Sequence, residues 1–441
     1  MMPVRRPGDP GAPRTGRGID RSRDRAVTAA GIAVAAAFLL LATLALVVPG
    51  AANGPWLPLH LALAGGASVA IAALLPFFAA TLVATAPAPA APRVAALVLV
   101  ASGAALVTAG VRGGRAEVGA VGGTLYLAGA AVLLLITVRL LRGSLIARRR
   151  VFGVLYGTAL GCVLAGAALS TLMLAGVPAV AGAWGTLRAA HAWLNLGGFV
   201  GLVVAATLIH FLPTVVGSRI EQGRRDLAGV GALAAGPPLI ATGFITGLWL
   251  AIAAGAALVL AGTMWLVVYA VDVIRRRARW TTDPGWHTFS TGSLACAIGW
   301  LAVTWVAAAL VAVVHGPGPA GWIGGAVVLP LVVGAILQLI VGSWTHLVPA
   351  VGPGSPVRHA WQRTVLGRAA VPRLAALDTG VALLVGSQVA GIAGPIPTAG
   401  ALLVAMALLT SLALFARAFT GHREPAAGSG ARPGTDRKPY S

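Results

Sequence analysis

The chain has 441 residues, of which 58% are hydrophobic and only 10% charged, against roughly 25% charged in an ordinary soluble domain. With a mean hydropathy of +0.89, this excludes a soluble enzyme, a nucleic-acid-binding domain and a disordered tail protein. The formal net charge of +21 is no nucleic-acid signature, because the arginines lie between apolar runs rather than on a soluble face.

Residues 1–26 are rich in Pro, Gly and Arg, have no apolar face, and read as a disordered basic tail close to anionic lipid. Apolar stretches then recur, each near the roughly 20 residues that cross about 30 Å of hydrocarbon. They predict twelve spans: 27–48, 59–84, 93–111, 118–138, 151–175, 189–213, 228–248, 252–273, 289–313, 322–345, 373–393 and 399–419. The seventh and eighth form one apolar block too long for a single helix, so a break is expected near Leu250. The first run exceeds a signal-peptide core and is expected to remain as a span. Residues 27–420 are thus a membrane domain, and 421–441 a second disordered tail. The fold class expected is an all-α integral membrane protein. Cys162 and Cys296 lie inside apolar spans without a CxxC partner and read as small buried hydrophobes.

Arginine placement sets the orientation. Twelve spans with the N-terminus inside put Arg93, Arg139, Arg142, Arg148 to Arg150, Arg219, Arg224, Arg225, Arg275 to Arg277, Arg279, Arg358, Arg363, Arg368 and Arg373 in inner loops. Only Arg112, Arg115 and Arg188 fall outside. This is the positive-inside bias, so both termini are expected in the cytoplasm and the chain in a bacterial inner membrane. Its first partner is the lipid bilayer; no nucleic-acid partner is expected.

The chain also repeats itself. The second span ends Leu75-Pro76-Phe77, the sixth Leu212-Pro213-Thr214 and the tenth Val348-Pro349-Ala350. The prolines are 137 and 136 residues apart, and the spans that carry them are four apart. The reading is three four-helix arcs with pseudo-threefold symmetry. The plainer account is three independent helix ends, where proline is tolerated.

Twelve spans in three arcs resemble subunit I of the heme–copper oxidases and the NnrS-type membrane proteins. The segment His191-Ala-Trp-Leu-Asn-Leu-Gly-Gly-Phe-Val-Gly201, running on to Pro213-Thr214, is similar to the "HAHLNLLGFVGLTVLGTL…PT" segment in the membrane part of actinobacterial proteins named copper oxidases or nitrite reductases. The resemblance implies a heme b or copper site, a role in respiratory or nitrogen-oxide metabolism, and a membrane or periplasmic redox partner. It fails at several points. The sixth span has no Tyr, the seventh no His, the tenth only His346, and position 193 is Trp where the pattern has a second His. The oxygen-reducing heme–copper centre is therefore not expected.

Imidazole ligates both heme iron and copper and is rare in hydrocarbon without a partner. His60, His191 and His315 fall at the outer ends of spans two, six and nine; His210, His287 and His346 fall at inner ends. His60 and His191 are the candidate ligand pair, Asn195 one turn after His191 the candidate orienting group, and His315 a possible third ligand of a copper-like site. Both histidines precede Gly-Gly pairs, Gly65-Gly66 and Gly197-Gly198, which either pack helices or make room for a macrocycle. The opposing reading of the histidines is interfacial rings that meet headgroups and water. Asp378, the clearest intramembrane acid, reads as part of a proton path, as a cap or as a partner of Arg373. Two further classes stay open: a multi-span transporter or exporter, and a cofactor-free assembly or structural subunit.

Topology gives the first test. Tags on either terminus should be accessible from the cytoplasmic side only; a C-terminal tag labelled from the periplasm would mean an odd number of spans.

Overall fold

The computed structural model describes residues 21–47, 56–144, 149–218, 224–318, 324–351 and 355–420. The described residues are helical, with no strand among them. Among the described residues, twelve helices are long and apolar enough to cross a membrane: Ala26–Ala45, Trp56–Leu82, Ala90–Arg112, Ala116–Arg142, Val151–Leu174, Trp184–Val216, Arg225–Thr246, Trp249–Arg275, Trp286–His315, Val327–Pro349, Ala370–Ala390 and Pro395–Thr420. They are spans 1 to 12 below. Helices dominate because hydrocarbon offers backbone groups no water, and a helix satisfies them within one segment.

All twelve expected spans are present. The helix of span 1 starts at Arg21, ahead of the expected tail boundary at 26, because nothing in Arg21-Ser-Arg-Asp-Arg25 breaks a helix. The rest of that tail and residues 421–441 lie outside the described residues. The break between spans 7 and 8 falls at Gly247, slightly before Leu250. Gly247 takes φ +73°, and the Leu248 N–H turns back to the Gly243 carbonyl at 3.0 Å, a left-handed glycine stop.

By compactness the chain divides into residues 1–145 and 146–441. The first unit holds spans 1–4, and the second holds spans 5–12. Taken four at a time in chain order (quartets 1–4, 5–8 and 9–12), the spans share some local features. The third and fourth helices of each quartet touch backbone to backbone through glycine. A Cβ on Gly103 of span 3 would lie 2.6 Å from the Tyr126 nitrogen of span 4. One on Gly255 of span 8 would lie 2.7 Å from the Ile240 nitrogen of span 7, and one on Gly380 of span 11 would lie 2.7 Å from the Gly400 carbonyl of span 12. Without a hydrophobic force between helices in lipid, this close approach is a main source of packing energy.

The second helix of each quartet is irregular and the most buried. Spans 2, 6 and 10 each contain a π-helical stretch, Leu61–Ala67, Trp193–Gly201 and Pro330–Leu337. Of the most apolar window of span 6, 89% is buried, against 56% in spans 5 and 7 and 39% in span 8. Glycines in the π stretches accept side chains of the preceding span: Phe38 meets Gly65, Leu39 meets Gly66, Cys162 meets Gly198 and Trp300 meets Gly334.

Pro76, Pro213 and Pro349 sit near the far ends of these helices. A proline inside a helix frees the carbonyl four residues earlier. In span 6 that carbonyl is Ile209, and the Tyr269 hydroxyl of span 8 donates to it at 2.5 Å. In span 10 it is Thr345, and the Trp286 indole N–H of span 9 donates to it.

The lipid-facing surface is apolar: Leu250 and Val314 are both 76% exposed, and Leu402 and Leu409 are similar. One substitution at two sites tests the glycine contacts. Gly103→Ala should lower stability by about 1–3 kcal/mol, as overpacking does. Gly157→Ala, where a Cβ meets nothing within 4 Å, should be neutral or stabilising by up to about 1 kcal/mol. Thermal unfolding of both proteins in one detergent reads the difference.

Candidate functional site

His191 lies on span 6, two residues before the π stretch. Its ring reaches the neighbouring helix, where Nδ1 donates to the Gly166 carbonyl of span 5 at 2.9 Å. That bond puts the proton on Nδ1 and leaves the lone pair of the neutral ring on Nε2. Asn195 stands one turn on. Its amide donates to the His191 carbonyl at 2.8 Å and lies 3.3 Å from His191 Nδ1. It sits over Gly166, where a Cβ would collide with it. Asn195 therefore packs beside the imidazole and against the Gly166 backbone of span 5, and its bond to a carbonyl is made within its own helix. Trp184 flanks the ring at 5.6 Å.

His60 holds the matching place in span 2, directly before Leu61–Ala67. Its Nδ1 donates to the Trp56 carbonyl one turn back at 2.7 Å, and the Trp56 ring stacks on it at 4.1 Å. The same tautomer follows. His60 belongs to the 1–145 unit, while His191, Asn195 and His315 belong to the 146–441 unit. His315 ends span 9 and is exposed. Among the described residues no three His, Cys, Asp or Glu side chains are placed to hold a metal ion. The glycine pairs are filled by Phe38, Leu39, Trp193 and Cys162, so they pack helices and leave no slot for a macrocycle. Trp193 opens the π stretch of span 6. With Thr304 and Trp305 it lines a cavity of about 10 Å³, the room one water needs. The indole nitrogens of Trp193 and Trp305 are buried without a partner.

The opposite end of the second unit holds a cluster that sequence reasoning treated only as helix-end histidines. His346 of span 10 stacks on Trp286 at 5.0 Å with rings 4° apart, and Phe211 meets it edge-on. His287 packs on Trp286 at 4.2 Å, and its Nδ1 is bonded to Asp283. The two imidazole centroids are 6.4 Å apart. His287 Nε2 and His346 Nδ1 are both buried without a partner. His210 is fully buried, stacks on Phe152 at 3.9 Å, and has Nδ1 3.1 Å from the Ala206 carbonyl. The signal available in the sequence was Asp283 four residues before His287, in the turn that leads into span 9, where it accepts the His287 backbone N–H.

Asp378 neither caps a helix end nor pairs with Arg373. Its Oδ1 accepts from the Trp300 indole at 3.0 Å and from the Gln338 amide at 2.9 Å, so it ties spans 9, 10 and 11 together. Arg373 is 3% exposed. It donates to the Leu366 carbonyl at 2.6 Å and stands 3.6 Å over the Phe289 ring of span 9. Arg93, also 3% exposed, donates to Thr28 of span 1 at 2.8 Å. Both were expected in loops, and both lie inside helices. They share the sequence Pro-Arg-Xaa-Ala-Ala-Leu at 92–97 and 372–377, a further repeat between the first and third quartets. Asp272, near the end of span 8, forms an ion pair with Arg276.

No family model, curated protein or solved structure matches the chain.

The Asp378 junction yields a paired test. Asp378→Asn keeps an acceptor for Trp300 and Gln338 and should leave the thermal midpoint nearly unchanged. Asp378→Leu strands two buried donors at about 1–3 kcal/mol each and should lower it clearly.

Proposed function

We propose that this protein is a histidine-ligated heme protein of the bacterial inner membrane, working in respiratory or nitrogen-oxide electron transfer without an oxygen-reducing heme–copper centre. The observation that carries the reading is the matched state of His60 and His191. Each stands at the start of a π stretch, and each has Nδ1 tied to a backbone carbonyl, so Nε2 is the lone-pair nitrogen. Metal-ligating histidines are oriented in this way, by a hydrogen bond from the other ring nitrogen. π segments inside helices are frequent at functional sites.

Heme is favoured over copper because an iron porphyrin takes only its axial ligands from the protein. A protein-built copper site needs further donors, and among the described residues no third one joins. The donor chemistry fits an axial role. Bound, the heme would supply one-electron transfer. The chain's own contribution is to fix the two tautomers, with Asn195 and Trp184 holding the ring plane of His191. The quartet plan supports three four-helix arcs, and the arginine bias supports cytoplasmic termini. A membrane-bound or periplasmic protein would then exchange the electron.

The test is an optical spectrum of the purified full-length protein, oxidised and reduced, with heme quantified per chain. Wild type should show reduced α-bands. His60→Ala and His191→Ala should each lower the heme bound per chain while eluting as the intact protein. His315→Ala should keep it, whereas its loss together with bound copper would favour the copper form. A colourless wild type that also fails to take up added hemin would overturn the reading.

A further inference from the structure

Four buried polar atoms without partners lie along one seam of the second unit, between spans 9 and 10. They are His287 Nε2, His346 Nδ1, Ser293 Oγ and Gln338 Oε1. Ser290 and Ser293 follow His287 at helical spacing, and both are fully buried. Opposite them span 10 presents Gly342, where a Cβ would lie 2.6 Å from Ser293 Cβ. Gln338 comes one turn beyond Gly342, is fully buried, and donates to Asp378. Buried polar atoms are almost always bonded. Where the protein gives them no partner, ordered water does, provided the site is polar on several sides.

The two ends of the seam differ. Asp283 has a side chain 38% exposed, and His287 one only 10% exposed. Asp283 also accepts the backbone N–H of Gly285 at 3.1 Å and that of His287 at 3.2 Å. The far end is Asp378, on the third turn of span 11 and about 12 Å from its start. An acid at that depth is a functional candidate by default.

We propose that this seam is a hydrated proton path from Asp283, at the arginine-rich rim, to Asp378 inside the membrane. At His287 a proton arrives on one ring nitrogen as another leaves from the other, so one N–H bond forms and one breaks. His346, the Ser293 hydroxyl and the Gln338 carbonyl hold the waters that follow. At the end the Asp378 carboxylate takes the proton and an O–H bond forms. No electron moves, and no reagent beyond water is needed. The other charged groups facing the path are cationic. Arg363 stands 5.5 Å over the Trp286 ring, and Arg373 lies over Phe289. Fixed positive charge beside a narrow seam disfavours entry of metal cations, while proton hopping needs no ion of that size to enter. Trp286, Phe211 and Trp280 wall the histidine end with rings.

The proposal does not depend on heme binding. It is tested on the full-length protein in lipid nanodiscs by infrared spectroscopy of the protonated carboxyl band, assigned to Asp378 by its loss in Asp378→Asn. After a switch to heavy water the wild-type band should shift within minutes. Ser293→Val, which replaces the mid-seam hydroxyl with methyls, should slow that shift at least tenfold. His287→Phe, at the rim, serves where the first variant does not fold, and Gly157→Ala, on span 5 outside the seam, should change nothing. Equal exchange in wild type and both seam variants would overturn the path. So would a wild-type carboxyl that never exchanges, the absence of any protonated Asp378 band, or loss of the band on adding sodium at constant pH.

Discussion

Where proline removes an N–H inside a membrane helix, the carbonyl it strands needs a new donor, because hydrocarbon supplies none. In the second unit that donor comes from another helix: Tyr269 for Ile209 and Trp286 for Thr345. These two bonds fix where spans 8 and 9 meet spans 6 and 10. Trp286, held by its indole N–H, then carries the stacked His346 and His287 on its faces. One missing backbone bond therefore positions the histidine cluster.

Glycine does the corresponding work between the third and fourth helices. Close backbone contact replaces the hydrophobic effect that lipid does not provide, and it lets the hairpins of spans 3–4, 7–8 and 11–12 form rigid pairs. The irregular second helix has a different partner. Its π stretch widens the turn, and its glycines receive Phe38, Leu39, Cys162 or Trp300 from the helix before it. In the first quartet Ser68 closes the widened turn by donating to the Leu63 carbonyl at 2.8 Å, while accepting from Tyr126 of span 4 at 2.7 Å. The irregularity is thus tied into the packing.

The spans were legible because hydropathy and length are properties of single segments. The break beside Leu250 was legible from length, although its cause, Gly247 in a left-handed turn, lies in backbone geometry. The three prolines were legible by spacing, and the aromatic donors that answer them were not, since Tyr269 and Trp286 lie 60 and 59 residues from their acceptors. The π stretches leave no hydropathy trace at all. At the site, the His191–Asn195 relation followed from helical spacing, but the Gly166 carbonyl that orients the ring belongs to another helix. Asp378 stood out as an acid among apolar residues; its true partners, Trp300 and Gln338, could not be told from Arg373 without tertiary contacts. At Gly65-Gly66 and Gly197-Gly198 the sequence left helix packing and macrocycle space as alternatives, because an absent side chain marks space without saying which neighbour fills it.

The quartets share a frame but not their polar residues. The position at the start of the π stretch is His60 in the first quartet and His191 in the second, while Val328-Leu329 stand there in the third. Three residues before the proline the order is reversed: Ala73, then His210, then His346. The glycines of the π stretches tolerate little change, because Gly65, Gly66, Gly198 and Gly334 are in close contact with side chains of the preceding span. The two histidine positions are held by local bonds within or between adjacent helices, so a quartet keeps its packing when one is lost. Such a frame lets chemistry separate by quartet. His60 and His191, each with Nδ1 bonded to a carbonyl, belong to the first two, the proposed polar seam belongs to the third, and span 6 carries a histidine at both levels. The two are about 28 Å apart along one helix, so they serve opposite ends of the membrane rather than one centre.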